Sequence, residues 1–247
     1  MLPDTPKRYE VTALADYAAI LLDMGGPENG AEIAPYLRRL FQDPDMIQGN
    51  FAWFFRWVIA PRLAVKRADK VKARYDLIGG GSPLPASVME FARLVESRLG
   101  APVFAAMRYS NPQIQDAMDE IMRSGCRELI AVPLFPQYSR TTTQSALNEL
   151  ERVKNNSEYS DSRNPLEIRS IEHHFQHTGF INALQECLDA AIEKAVTGHE
   201  TRIMFTAHSL PLRYILRGDP YINQVRKTVQ LIQVKRKLPF QSDLAFH

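Results

Sequence analysis

A short apolar run that stops at a turn and hands over to a helical pattern recurs along this chain, and that rhythm restricts the fold more than any single motif. Ala18 to Met24 (AAILLDM) breaks at Gly25, Gly26 and Pro27, after which Ile33, Leu37, Leu40 and Phe41 repeat at helical spacing. Val103 to Met107 (VFAAM) and Leu129 to Leu134 (LIAVPL) are further strand candidates, with helical character from Ile114 to Arg123 between them and Gly125 to end it. Strands alternating with helices specify βαβ units and a parallel sheet. A hydroxyl-rich turn at Thr141, Thr142 and Thr143 leads into a helix ending near Lys154.

Asn155 to Asn164 is polar, lacks apolar periodicity and ends at a proline, which marks a lobe boundary and divides the chain into 1–155 and 165–247. Beyond it, Leu166 to Ile171 alternates like a strand, and a helix runs from Phe180 to Val196. Ile203, Met204 and Phe205 read as a short buried strand that Ser209 and Pro211 stop, with the next helical pattern near Pro220. His173, His174 and His177 have spacings that would permit metal ligation on a helix, but H-E-x-x-H is absent. Thr178-Gly179 places the helix start after them, so a loop with solvent-exposed histidines is expected.

With 247 residues, 45% of them hydrophobic, the chain can bury a substantial core. A formal charge of +2 gives no general field for nucleic acid, so any basic site is local. Cys126 and Cys187 form no C-x-x-C, which argues against a disulfide framework, a zinc site or an iron-sulfur cluster and fits a reducing cytoplasm. The N-terminus, MLPDTPKRYE, has no apolar signal region, and no run approaches the ~18 apolar residues of a membrane span. A soluble protein is expected.

Phe51 to Val65 (FAWFFRWVIAPRLAV) clusters Trp53, Phe54, Phe55 and Trp57, and Pro61 must bend or restart its helix. It reads either as a helix packed under the lobe or, as the excess of aromatics favours, as an amphipathic lip touching a flat apolar ligand or a membrane surface. Lys66, Arg67, Lys70, Lys72 and Arg74 follow at helical spacings, as a solvated basic face or as carboxylate recognition. Tyr75 to Pro85 (YDLIGGGSPLP) exposes backbone N–H groups that suit an anion, and Ser82 is placed to cap the helix from Ala86 to Leu99.

Met24, Arg108, Tyr138 and His208 each stand at the C-terminal edge of a different strand candidate, and in open α/β sheets ligands bind outside the carboxyl ends of strands. A lone histidine reads first as structural. Pooled, these positions describe a cleft with an apolar wall, fixed cations, a tyrosine and a histidine. A serine nucleophile elbow and a Walker loop are absent.

LLDMGGPE (21–28), YDLIGGGSPL (75–84), MRYSNP (107–112), PLFPQYS (133–139), FTAHSLP (205–211) and RGDPY (217–221) together resemble the ferrochelatase family, in its order and at about its spacings. The resemblance implies an α/β fold of two Rossmann-like lobes with parallel sheets, and ferrous-iron insertion into protoporphyrin IX for heme biosynthesis. It implies that His208 acts as proton acceptor or metal contact. Met24, Arg67, Tyr75, Ser82, Arg108 and Tyr138 are implied to bind the porphyrin, and a methionine at 24 resembles protoporphyrin rather than coproporphyrin users. No tightly bound cofactor is expected, ferrous iron being a substrate. The expected location is cytoplasmic, with peripheral membrane contact through residues 51–65. Insertion requires loss of two pyrrole protons, and an imidazole with its ordinary pKa of ~6.5 suits that task.

The family pattern continues past Ile232 into a Gln-Ser-x-x-Gly-Pro segment and a His-x-Glu motif, whereas this chain reads VKRKLPFQSDLAFH. The partner glutamate is therefore expected to be absent and the second lobe incomplete. A non-catalytic tetrapyrrole-binding or interaction protein is the alternative expectation.

Overall fold

The computed structural model describes residues 17–156, 165–194, 202–236 and 241–247. The N-terminal MLPDTPKRYE, most of the polar stretch ending at Asn164 and the last residues of the helix expected to reach Val196 lie outside them. The described residues divide into two compact units, the first drawn from Met1–Leu134 and Gln144–Ile171, the second from Phe135–Thr143 and Glu172–His247.

In the first unit, β1 (Tyr17–Asp23), β2 (Val103–Met107), β3 (Glu128–Pro133) and β4 (Glu167–Ser170) form one parallel sheet in the order β2-β1-β3-β4. Every residue of β1 after Tyr17 is buried, as a central parallel strand covered on both faces requires. α1 (Ile33–Gln42) and α3 (Ala60–Asp76) pack together through Ile33, Leu37 and Ala64. α2 (Ala52–Phe54) and a π-helical turn at Phe55–Ile59 lead directly into α3, and Pro61, its second residue, falls just after the π turn, where the regular α-helix begins. α4 (Leu84–Leu99) lays Val88 and Ala92 on Ala19, Leu21, Val103 and Ala105, and full burial of each larger aliphatic chain is worth about 1.5–3 kcal/mol. α5 (Ile114–Arg123) buries Ile114, Ala117, Met118 and Ile121, and α6 (Ser145–Lys154) buries Ala146, Leu150 and Val153. β4, beyond the polar boundary, pairs with β3, because strand pairing and not composition decides which unit a segment joins.

The second unit pairs β5 (Ile203–Ala207) with β6 (Ser242–Phe246) in parallel. α7 (Thr178–Glu193), α8 (Leu212–Leu216) and α9 (Tyr221–Arg236) belong to it. α7 begins where Thr178-Gly179 predicted, with the His177 imidazole accepting from Gly179 N at its N-cap. His173 and His177 are exposed, and His174 is half-buried with its pKa lowered by burial and by the neighbouring His177 and His173. β5 is not the buried strand expected. Ile203, Phe205 and Ala207 are half-buried and Met204 is 67% exposed, because among the described residues β6 is the one strand paired with it.

Candidate functional site

Met24 ends the run of β1 and is half-buried at the start of a tight loop. Gly25 adopts φ 73, the left-handed region that favours glycine, and its N–H donates to Asp23 Oδ1 at 3.2 Å. Gly26 N donates to Ser110 Oγ at 3.1 Å, while Arg108 N and Tyr109 N donate to the Asp23 and Met24 carbonyls at 2.7 and 3.1 Å. Ser82 N donates to the Pro27 carbonyl at 2.7 Å, and a Cβ added to Gly26 would strike Ser82 and approach the Tyr75 hydroxyl. Three segments thus converge at this turn, with Ser82 and the Tyr75 hydroxyl beside Gly26, two residues after Met24. Burial raises the pKa of Asp23, against the backbone N–H groups of Gly25 and Met24. Burial, with Tyr75 and Asp23 adding to it, pushes Tyr36 up to about 12, and burial raises Tyr75 as well.

The anion role expected of the glycine-rich turn meets an obstacle. Gly79, Gly80 and Ser82 donate their N–H groups to the carbonyls of Asp76, Tyr75 and Pro27, and Gly81 is pressed against the Glu28 carbonyl. Ser82 Oγ accepts from Leu84 N at 3.3 Å, just ahead of a helix whose N-cap residue is Pro83. Arg67 is exposed on α3, its guanidinium 5.7 Å from the Phe41 ring centroid.

Arg108 does not project freely. Its side chain is 14% exposed, with Nη2 3.3 Å from Asp43 Oδ2 and 3.8 Å from Glu149 Oε2, and Nε donating to Ser145 Oγ at 3.0 Å. Asp43 is fully buried and also accepts from the Tyr109 hydroxyl at 2.5 Å and from Ser145 Oγ. Burial, then the Asp43 charge, drives the Tyr109 phenol far above its usual range. Neither Asp43 nor Ser145 belongs to a recognisable sequence motif, and each lies far from Arg108 along the chain, so the fold alone brings them to it.

In the second unit, Tyr138 is half-buried and its N–H donates to Gln224 Oε1 at 2.7 Å on α9. The buried Asp219 accepts from Ser139 Oγ, Arg140 N and Tyr221 N at 3.1, 2.8 and 3.0 Å, so PQYS and RGDPY are joined by one carboxylate. His208 directly follows β5 and is exposed. Burial raises the Tyr221 pKa, a backbone hydrogen bond at His208 opposes it, and Asp219 adds to the rise. A concave pocket of about 570 Å³ lies alongside, lined by Ser209, Asp219, Asn223, Arg226 and Phe246 among others.

The pattern of the family described as Ferrochelatase matches residues 16–247. The chain belongs to the ferrochelatase family. A ferrochelatase of Aquifex aeolicus (strain VF5) is 39% identical over 92% of this chain and 72% of its own length. One from Geobacter sp. (strain M21) is also 39% identical, over 87% of this chain and 67% of its own. A relative named Ferrochelatase-2, chloroplastic, from Cucumis sativus, is 33% identical over 88% of this chain and 43% of its own length. Ferrochelatase membership places the chain among metal chelatases, lyases of heme biosynthesis, and its parallel α/β architecture accords with it.

Proposed function

We propose that this chain inserts ferrous iron into protoporphyrin IX to give protoheme, with His208 accepting pyrrole protons or contacting the metal. The carrying observation is an exposed imidazole at the C-terminal edge of a parallel strand in a chain of the ferrochelatase family. The reaction balances without a redox partner: the porphyrin loses two N–H protons, ferrous iron takes their place, and its oxidation state is unchanged. No oxidant or reductant is therefore required. Met24, Tyr75 and Ser82 are the porphyrin-facing wall, and a macrocycle held off-planar there gains roughly 1–5 kcal/mol of strain toward the metal-accepting shape. Arg67, exposed and cationic, is the propionate-binding candidate. Arg108, with Nε and Nη2 engaged by Asp43, Ser145 and Glu149 and its backbone N–H on the Asp23 carbonyl, braces the loop that carries Met24. Tyr138 is a further porphyrin-binding candidate.

Peripheral membrane contact belongs to the same reading. Phe51, Trp53, Phe54, Trp57 and Ile59 are 80%, 61%, 44%, 67% and 41% exposed, and Lys66, Arg67 and Lys70 are exposed just after them. Apolar rings beside exposed cations suit an anionic cytoplasmic leaflet, at about 1 kcal/mol per cation near the surface. Among the described residues, no helix is long and apolar enough to cross a membrane.

The test is an anaerobic assay giving the chain protoporphyrin IX and ferrous iron while porphyrin fluorescence and heme absorbance are followed together. Heme formation above the protein-free rate is expected. Saturable porphyrin binding with no heme formed would overturn the chelatase reading in favour of a tetrapyrrole-binding protein.

A further inference from the structure

Two segments of the second unit end alike, Phe205-Thr206-Ala207-His208 and Leu244-Ala245-Phe246-His247. β5 and β6 pair in parallel with Phe205 opposite Leu244, Thr206 opposite Ala245 and Ala207 opposite Phe246. Continuing that register by one residue sets His208 opposite His247. Neighbouring parallel strands lie about 4.8 Å apart, so matched side chains emerge side by side. The two imidazole centroids are 5.6 Å apart, with their planes at 65°. The backbone fixes this placement at both ends: His247 N donates to the Ala207 carbonyl at 3.1 Å, and Ser209 N donates to the His247 carbonyl at 2.8 Å. Both residues are exposed.

We propose that His208 and His247 form a two-imidazole site for a borderline divalent metal ion, with its remaining coordination positions open. With metal–nitrogen bonds of about 2.1 Å, two imidazoles sharing one ion have centroids roughly 4.5–6.5 Å apart, depending on the angle at the metal, and the observed spacing falls within that range. Imidazole is a ligand suited to iron, zinc, copper and nickel. Among the described residues no group of three or more His, Cys, Asp or Glu is placed to hold a metal, so this site is held by two side chains. Few ligands and open positions give weak, exchangeable binding, which is what an ion in transit needs and a structural ion does not. That the ion is ferrous iron on its way to a porphyrin rests on the chelatase reading above; the existence of the site does not.

The probe is Co²⁺, titrated into the whole chain without porphyrin and read by its visible absorption. Loss of an outer-shell partner alone weakens metal sites roughly 10- to 100-fold, so removing a direct ligand should weaken this one by at least about tenfold. His247→Ala and His208→Ala are each expected to do so, and His247→Gln to behave like His247→Ala. A His247→Ala protein that binds Co²⁺ as the unsubstituted chain does, or an unsubstituted chain that binds none, would overturn the site. A parallel protoporphyrin titration separates the two claims: absence of porphyrin binding defeats the chelatase reading while leaving the cobalt result intact.

Discussion

Arg108 and His208 each follow the last residue of a parallel strand, β2 and β5, yet their surroundings are opposite. Arg108 lies over a four-stranded sheet covered on both faces and is closed in by Asp43, Ser145 and Glu149. His208 ends a strand of a two-stranded sheet whose alternate residues face solvent, and it is exposed. A strand's carboxyl edge is thus a place where function can be put, and the packing around it decides whether the side chain there holds structure or meets a ligand. In the first unit the side chain at that edge is held in place, and in the second it is an accessible imidazole.

The sharpest way to break that contrast is Asp43→Ala. Leaving the guanidinium of Arg108 without its buried partner should cost about 3–5 kcal/mol, read as a lower urea midpoint. A loss below about 1 kcal/mol would mean that Arg108 turns to solvent easily and is as available as His208. Gly81→Ala comes next. Its added methyl would collide with the Glu28 backbone carbonyl, and the required shift should cost roughly 1–3 kcal/mol, read as a lower urea midpoint.

Asp23→Asn should act in the other direction and more gently. Burial favours the neutral acid, so the stability this carboxyl supports is present below its ordinary pKa of 3.8 and is lost as pH rises through its higher folded value. The amide is expected to stabilise the chain by less than about 1 kcal/mol at pH 7 and by almost nothing at pH 3, checked by thermal melts at both. Tyr36 follows the same sign at the alkaline end, withdrawing stability as pH climbs from 10 to about 12. Smallest of all, Met204→Ser on the open face of β5 should change stability by less than about 0.5 kcal/mol; a loss comparable to that of Gly81→Ala would show that this face is covered.

Much of the first unit was legible because its signals are local. Glycine and proline end β1, and α5 spans Ile114–Arg123 as the periodicity of Ile114, Met118 and Ile121 predicts. Aromatic crowding at Phe51 to Trp57 likewise predicted the exposure that Trp53 and Trp57 show. What failed depended on partners distant in sequence. Ile203-Met204-Phe205 resembles a buried strand in composition, but burial requires covering elements that three apolar residues cannot specify. The Asp43 and Ser145 partners of Arg108 were equally hidden, because the fold alone brings them to it. His247 carried a readable signal, the repeat of a strand ending in histidine, whose meaning depended on a parallel register.

The most direct test compares the unsubstituted chain with His208→Ala in porphyrin binding and iron insertion, with a urea midpoint for each. An exposed side chain outside the wall should leave the midpoint and porphyrin affinity almost unchanged while insertion falls to the protein-free rate. Insertion retained at the original rate would contradict the account and remove His208 from the chemistry.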